Sequence, residues 1–249
     1  MPNLYDQATP APAPEPLPTP ARALTIGAHP DDAEFGAGGT LAKWAAAGCH
    51  VTMLVVTDGS KGTWDPDLDP ELLVISRRAE QRAAADALGA ADIVMLDHVD
   101  GELEHDMDLR RELCGWIREL RPDVVLGHDP WKRYMLHPDH RAAGMGLIDG
   151  VVAARDHLFH PDLGPKHRPD AILLWSADEP DHAEPIDGTL DTKIEALLHH
   201  STQGETTMGD AHVDAEARDR FATRIRDWAY EQGESFGIGP AELFKLIRP

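Results

Sequence analysis

The chain has 249 residues, of which 42% are hydrophobic and 27% charged, a length and balance typical of one soluble domain with a single core. Acidic residues outnumber basic ones by 44 to 23, and the net charge of −21 disfavours nucleic-acid and anionic-membrane partners. Two cysteines, Cys49 and Cys114, are too few for a disulfide framework, and neither a secretory signal nor a membrane-spanning run is present. We therefore expect a cytoplasmic protein that binds neither nucleic acid nor membrane.

Residues 1–21 form a segment in which proline alternates with alanine, threonine and glutamate. Proline at this density removes backbone donors and favours extended polyproline II conformation. We predict a Pro/Ala-rich arm over 1–21, either a disordered tail or an arm that lies on a neighbouring subunit. Because no internal repeat and no second composition regime follows, residues 22–249 are predicted to form one domain.

Short apolar segments alternate with helical patterns along the rest of the chain. In chain order, the prediction is strand 23–28, helix 38–47, strand 51–57, helix 71–88, strand 93–96, helix 108–120, strand 123–127, helix 139–157, strand 171–176, and helices 189–200 and 213–231. This alternation predicts a single-domain Rossmann-like α/β fold, with a mostly parallel sheet and helices on both faces. In such sheets, ligands bind beyond the carboxyl ends of the strands. Polar residues cluster after Ala28, Thr57, Leu96 and Gly127, so functional residues are expected there.

Two related tetrads follow the first and fourth predicted strands: His-Pro-Asp-Asp at 29–32 and His-Pro-Asp-His at 137–140. Their first and fourth side chains are three residues apart, and proline suits a helix start, so in each tetrad both can face one point. Three nitrogen or oxygen ligands with an open fourth position describe a catalytic zinc site, although Fe(II), Mn or Co also suit such ligands. Histidine alone is more often an ordinary surface or core residue, and aspartate a helix cap. The pair of tetrads together favours a metal site.

The runs AHPDDAEFGAGGTLAKW, RRAEQRAAADALG and HPDHRAAG resemble the PIG-L/LmbE-like zinc-dependent de-N-acetylases. That family includes GlcNAc-phosphatidylinositol deacetylases, the GlcNAc-inositol and GlcNAc-malate deacetylases of mycothiol and bacillithiol synthesis, and mycothiol-conjugate amidases. The resemblance extends from Ala23 to about Gln203 and leaves out the arm and the last forty-odd residues. It implies a homo-oligomer, such as a trimer or a hexamer.

The resemblance also implies roles for the first tetrad and for one residue of the second. His29, Asp32 and His140 would be the zinc ligands. Asp31, next to a ligand but unable to point the same way, would be the general base that takes the proton of the attacking water.

Two further residues of the second tetrad complete the implied catalytic set. His137 would stabilise the oxyanion and protonate the leaving amine. Asp139 would hydrogen-bond His137 and orient it, unless it is simply a helix N-cap.

Substrate-binding candidates rest on weaker patterns. Arg77 stands where the family has an arginine that reaches the substrate, although its neighbour Arg78 could be the inward residue instead. Asp100 is followed by glycine after the third strand, which suits either a sugar-binding carboxylate or a plain turn. Arg133 and Tyr134 precede the second tetrad in a loop that could cover the site.

Two departures from the family pattern bear on the substrate. The glutamate that follows the Asp-Asp pair in many members is displaced here to Glu34, which weakens assignment to a named thiol-biosynthesis enzyme. Nothing corresponds to the membrane anchor of the lipid-linked enzymes, which favours a soluble substrate. The expected activity is therefore metal-dependent removal of an N-acyl group, most simply N-acetyl, from a small amino-sugar-like molecule; cleavage of a larger amide, such as a thiol-sugar conjugate, is the alternative.

Two other functional classes fit the sequence less well. Gly36, Gly38 and Gly39 partly resemble a dinucleotide-binding loop, but they come after the first tetrad and miss the G-x-G-x-x-G spacing. A non-catalytic zinc module would need neither Asp31 nor His137 beside the ligands. Both alternatives are therefore disfavoured.

Overall fold

The computed structural model describes residues 15–204, 209 and 214–249. Its strands are β1 (Arg22–Gly27), β2 (His50–Thr57), β3 (Asp92–His98), β4 (Val124–His128), β5 (Ala171–Trp175), β6 (His182–Pro185) and β7 (Ala241–Ile247). Its helices are α1 (Asp32–Ala46), α2 (Pro70–Leu88), α3 (Met107–Leu120), α4 (Pro138–Arg155), α5 (Leu190–Leu197) and α6 (Ala215–Glu234). In these residues the strands form one sheet in the order β3-β2-β1-β4-β5-β7-β6. Strands β1 to β5 are parallel, whereas β7 is antiparallel to β5 and β6, so the predicted mostly parallel α/β fold is confirmed.

Alternate strand residues face two separate hydrophobic layers, as the period of two in a strand requires. Leu24 and Ile26 of β1 pack with residues of α3 and α4 on one face. Met53 of β2 and Leu126 of β4 pack with α1 and α2 on the other face. Full burial of an aliphatic side chain of this size contributes about 1.5–3 kcal/mol relative to exposure. The two layers therefore fix the sheet between its helices and hold the strand ends in register.

The central pair of strands positions the loops that carry both tetrads. β1 pairs in parallel with β4, with Ile26 opposite Gly127. The chain runs from β1 towards β2 and β3 on one side, and β4 starts the other side, so the strand order reverses between β1 and β4. Crevices at such reversal points are where open α/β sheets bind ligands. The two tetrads leave the carboxyl ends of these two strands.

The structure departs from the predicted elements in three places. Helix α1 begins at Asp32 rather than at residue 38, although glycines interrupt its first turns. These glycines allow close packing: a Cβ on Gly36 would lie 2.4 Å from the Trp175 ring, and one on Gly39 would lie 2.7 Å from Ile186. Strands β6 and β7 were not predicted, because β6 has only four residues and β7 carries charged residues between its apolar ones.

The described end of the arm, residues 15–21, has no regular secondary structure. The Leu17 N–H donates to Glu184 of β6 at 2.8 Å, and Pro20 is buried. This segment therefore contacts the domain edge, while the rest of the predicted arm lies outside the described residues. The boundary between 21 and 22 stays a prediction. In the part of the chain that the structure describes, no helix is long and apolar enough to span a bilayer.

Candidate active site

A cavity of about 970 Å³ opens at the carboxyl ends of β1 and β4, and residues of both tetrads line it. Its inner end is formed by loops after β1, β3 and β4 and by the first turns of α1 and α4. Its inner lining includes His29, Asp31, Asp32, Asp100, His128, His137 and His140. The cluster lies where the strand-end rule predicted polar functional residues.

Three side chains expected to bind metal converge at the inner end of this cavity. Nδ1 of His29 lies 3.2 Å from Nε2 of His140. Oδ1 of Asp32 lies 3.3 Å from Nε2 of His140, and its other oxygen, Oδ2, lies 3.6 Å from Nδ1 of His29. A tetrahedral zinc ion with bonds of about 2.0–2.1 Å keeps its ligand atoms about 3.3–3.4 Å apart. The two separations that involve Nε2 of His140 therefore fit one ion, and the Asp32 carboxylate lies close enough to bind the same ion.

Three overlapping groups among the described residues have atoms close enough to share an ion. They are His29, His137 and His140; Asp32, His128 and His140; and His29, Asp100 and Asp139. The set expected from the sequence draws on the first two groups. The structure thus contains possible metal-binding sets of histidine and aspartate.

The charges around His29 favour a cation at this end of the cavity. Nε2 of His29 lies 3.1 Å from Asp100 and 3.2 Å from Asp139. Burial lowers the pKa of His29, but hydrogen bonds with Asp100, Asp139 and Asp32 outweigh burial and raise that pKa to about 12. Three buried carboxylates therefore stabilise a positive charge here, which a divalent ion would supply. The contacts of Asp100 and Asp139 with Nε2 leave Nδ1 as the atom that faces Asp32 and His140, an arrangement common in metal-ligating histidines.

His128 is a buried site residue that the sequence analysis missed. Its Nε2 lies 3.0 Å from Oδ2 of Asp32, and its ring stacks on His140 with centroids 4.1 Å apart. Burial lowers the pKa of His128. His128 is the last residue of β4, whereas the predicted strand ended at Gly127. Its position directly after Gly127 satisfied the strand-end rule, but it belongs to neither tetrad, so no motif singled it out.

Asp31 occupies a strained backbone position at the start of α1. Its φ is +100°, in the left-handed region that costs a non-glycine residue about 1–3 kcal/mol. Its N–H donates to Gln81 at 3.1 Å, and the Arg77 guanidinium lies 3.8 Å from its carboxylate. Burial raises the pKa of Asp31 to about 6, against the opposing effects of Arg77 and His200. With this backbone conformation the side chains of Asp31 and Asp32 point in different directions, as the expected role of Asp31 requires.

His137 begins α4, and its Nδ1 accepts the backbone N–H of Asp139 at 3.3 Å. Burial lowers the pKa of His137, as do His29 and His140. A neutral imidazole that accepts at Nδ1 carries its proton on Nε2. His137, which lines the cavity, is therefore a neutral N–H donor.

The Asp139 carboxylate does not accept the expected hydrogen bond from His137. The carboxylate instead contacts His29, and it accepts the N–H groups of Gly101 at 2.6 Å and Leu103 at 3.3 Å. Because the loop after β3 supplies these donors, the carboxylate turns towards His29. Asp139 thus supports a candidate ligand, and only its backbone contacts His137.

The substrate-binding candidates separate into an inward pair and an outward pair. Arg77 lines the cavity, but its guanidinium donates to the carbonyls of Gly59 at 3.0 Å and Pro30 at 2.8 Å, so it holds two loops together. Asp100 contacts His29 and accepts the Lys61 N–H at 3.0 Å. Arg78 is the outward neighbour and pairs with Asp97 at the surface.

Arg133 and Tyr134 are not brought to the cavity. Tyr134 is 86% exposed, and neither residue is among the described residues that line it. The backbone N–H of Arg133 donates to Asp178 at 2.6 Å. The loop before the second tetrad turns these two residues outward and lines the cavity with Lys132 and Met135 instead.

A buried polar network lies beneath Asp31 and includes the displaced glutamate. Gln81 donates to Glu34, and Nε2 of His200 lies 3.5 Å from the same carboxylate. Glu80 accepts hydrogen bonds from Ser201 and Thr202. Residues 200–203, at the end of the family resemblance, therefore anchor the end of the cavity to α2.

The outer wall of the cavity is built by elements late in the chain. Trp228 and Gln232 lie one turn apart on α6, and Leu243 comes from β7. Trp228 is 39% exposed, and Nζ of Lys193 lies 5.2 Å from the centre of its ring. The carbonyl oxygen of the Gln232 side chain accepts the Leu243 N–H at 3.3 Å. An aromatic ring beside an amide suits the apolar face and hydroxyl groups of a sugar.

Comparisons with known proteins agree with this geometry. A family model described as PIG-L: GlcNAc-PI de-N-acetylase matches residues 24–150. The diacetylchitobiose deacetylase of Thermococcus kodakarensis is 35% identical over 187 residues, which are 73% of this chain and 70% of that protein. The 1D-myo-inositol 2-acetamido-2-deoxy-alpha-D-glucopyranoside deacetylase of Geodermatophilus obscurus is 34% identical over 171 residues, and the match covers 57% of each protein.

The fold has a close counterpart among solved structures. The N,N'-diacetylchitobiose deacetylase from Pyrococcus horikoshii, complexed with its inhibitor MPG, superposes with a TM-score of 0.82 at 29% identity. The superposition covers 92% of this chain and 84% of that chain. The superposed part of this chain is therefore longer than the region of the family match.

Proposed function

Because the chain belongs to the PIG-L family of GlcNAc-PI de-N-acetylases, we propose that it is a zinc-dependent hydrolase that removes the N-acetyl group from a small amino sugar. The observation that carries this proposal is the meeting of both tetrads in one cavity. His29, Asp32 and His140 would hold the ion, because Nε2 of His140 lies 3.2 Å from Nδ1 of His29 and 3.3 Å from Oδ1 of Asp32. Asp31 and His137 line the same cavity. Other divalent transition metals would suit these ligands as well.

Asp31 is the proposed general base. Bound zinc would act as a Lewis acid on the amide carbonyl and lower the pKa of the attacking water. Asp31 takes a proton from that water as the new C–O bond forms. A carboxyl with a pKa of about 6 can hold this proton near neutral pH and then give it to the nitrogen as the C–N bond breaks. The products are acetate and the free amine.

His137 is the proposed oxyanion stabiliser. Its neutral Nε2–H can donate to the carbonyl oxygen as negative charge develops there. The lowered pKa of His137 favours this role over proton donation to the amine. His137 was expected both to stabilise the oxyanion and to protonate the amine. We propose that it does only the first and that Asp31 supplies the amine proton.

The outer wall bears on the size of the substrate. The cavity of about 970 Å³ continues from the catalytic end to Trp228 and Gln232, which leaves room for a group beyond the acetylated ring. The relatives named above deacetylate diacetylchitobiose and a glucosaminyl-inositol, both of which carry such a group. We propose a two-ring substrate of this class for the present chain. A larger amide, such as a thiol-sugar conjugate, is the second candidate because the same space would accept it.

A substrate panel tests the proposed activity. The zinc-loaded protein is incubated with N-acetylglucosamine, diacetylchitobiose, GlcNAc-inositol and GlcNAc-malate, and the released amine is measured. We expect release from at least one two-ring compound and slower release from the single sugar. Absence of amine from every member, with one metal ion bound per chain, would refute the proposal. Cleavage of a mycothiol conjugate without deacetylation would favour the amidase.

The expected assembly and location remain predictions. The trimer or hexamer implied by the family resemblance is tested by sedimentation of the full chain. The expected cytoplasmic location is tested by fractionation of cells that express it.

A further inference from the structure

His128 lies behind the proposed metal site, at the end of β4, and is 4% exposed. It contacts two of the three proposed ligands, because its Nε2 lies 3.0 Å from Oδ2 of Asp32 and its ring stacks on that of His140 at an angle of 13°. One of its ring nitrogens also lies close enough to ligand atoms of Asp32 and His140 for the three residues to share an ion. The location alone therefore allows His128 to be either a ligand or a support for ligands.

Trp175 decides between these roles. Its indole N–H, which is a donor and never an acceptor, points at Nδ1 of His128 at 3.0 Å. Nδ1 must therefore offer its lone pair, and the proton of the ring is on Nε2. A protonated nitrogen has no lone pair for a metal ion. The nitrogen that faces Asp32 is thus a donor, and this tautomer excludes His128 as a ligand.

The hydrogen bonding of Asp32 is complementary to this donor. Oδ2 of Asp32 accepts the backbone N–H of His29 at 2.8 Å and lies beside Nε2 of His128. Oδ1 is the oxygen that lies 3.3 Å from Nε2 of His140. Oδ2 is thus occupied by the His29 N–H and faced by Nε2 of His128, which leaves Oδ1 turned towards the proposed ion.

We propose that His128, with its tautomer set by Trp175, is a positioning residue that orients Asp32 and His140 and leaves the fourth coordination position of the metal open. This inference rests on the metal site of the proposed function. It adds two residues, His128 and Trp175, to those that the sequence assigned to the site. Because a ligand at the fourth position would compete with water and substrate, the tautomer matters for catalysis as well as for metal affinity.

Metal affinity gives the first test. Zinc dissociation constants are measured by chelator competition for His128→Ala, for His128→Gln, and for His50→Ala, which changes a surface histidine on β2. We expect His128→Ala to bind one zinc ion about 10–100-fold more weakly, the usual effect of losing a ligand's hydrogen-bond partner. His128→Gln, whose amide can still donate to Asp32, should recover part of the loss, and His50→Ala should match the unsubstituted protein.

Two results would overturn the inference. Unchanged affinity in His128→Ala would mean that His128 does not support the site. Loss of stoichiometric binding at saturating zinc, in both folded variants, would make His128 a ligand. Circular dichroism of each variant establishes folding, and His128→Gln carries the test where His128→Ala does not fold.

The tautomer is tested with Trp175→Phe, which keeps the ring and removes the N–H. We expect the visible spectrum of the cobalt-loaded variant to change, because Nε2 of His128 can then lose its proton to Nδ1 and bind the ion. The double variant His128→Gln/Trp175→Phe should have the same spectrum as the unsubstituted protein. If Trp175→Phe alone also has the unsubstituted spectrum, the tautomer argument is wrong. Failure of zinc to bind the unsubstituted protein would instead count against the proposed function.

Discussion

The inner and outer ends of the cavity are built in different ways. At the inner end, Asp32 and Asp139 are buried, and each carboxylate has contacts from at least two separate segments of the chain. At the outer end, Trp228 on α6 is 39% exposed, and Gln232 is fixed through only one of its polar atoms in the contacts described above. The inner end lies mainly within the region of the family match, 24–150, and the outer wall lies after it. The proposed chemistry thus lies in a cross-linked polar network, whereas the outer wall, which we propose selects the substrate, has fewer such contacts.

The largest expected effect at the inner end is that of Asp31→Asn. Removal of the base should lower kcat by about 10²–10⁴-fold, with zinc still bound, because Asp31 is not a proposed ligand. Steady-state kinetics and metal analysis of the same preparation measure both quantities. If the folded, zinc-loaded variant retains full turnover, Asp31 is not the base.

His137→Ala separates an oxyanion role from a ligand role. Loss of its Nε2–H should lower kcat by about 10²–10³-fold and leave KM nearly unchanged. Metal content decides the rest, since His137 also belongs to a possible metal-binding group with His29 and His140. Loss of the ion from this variant would show that His137 is a metal ligand and not a hydrogen-bond donor to the substrate.

Trp228→Ala tests the outer end and should act on KM rather than kcat. Loss of an aromatic contact worth about 0.5–1.5 kcal/mol should raise the KM for a disaccharide by about 2- to 10-fold. The KM for N-acetylglucosamine, which does not reach the wall, should not change. Trp131→Ala is the matched control, because Trp131 is exposed and does not line the cavity. If Trp228→Ala raised the KM for both substrates equally, the outer wall would not be what distinguishes the larger substrate from the smaller one.

The smallest effects are expected from Arg133→Ala and Tyr134→Phe. These residues were substrate-binding candidates, but the structure directs them away from the cavity. Their kcat/KM values should stay within about twofold of the unsubstituted protein, as for surface changes in general. A tenfold loss in either variant would mean that the loop before the second tetrad folds over the substrate.

The same contrast explains what the sequence could and could not predict. Both tetrads are local patterns at strand ends, so residues 29–32 and 137–140 were found without the fold. The partner of Asp139 was wrong because it depends on N–H groups of Gly101 and Leu103 from another strand end. His128 follows Gly127 directly, where functional residues were expected, but it was missed because it belongs to neither tetrad. Trp228 and β7 reach the cavity only through the antiparallel edge of the sheet, which local patterns did not predict.

Metal dependence of amine release tests the central claim most directly. The protein is stripped with a chelator, assayed with diacetylchitobiose, and assayed again after addition of one zinc equivalent. We expect activity to fall by about 10³-fold or more on stripping, since a metal ion contributes several kcal/mol to such a reaction, and to return on zinc addition. Full amine release by protein shown to be free of metal would contradict the account.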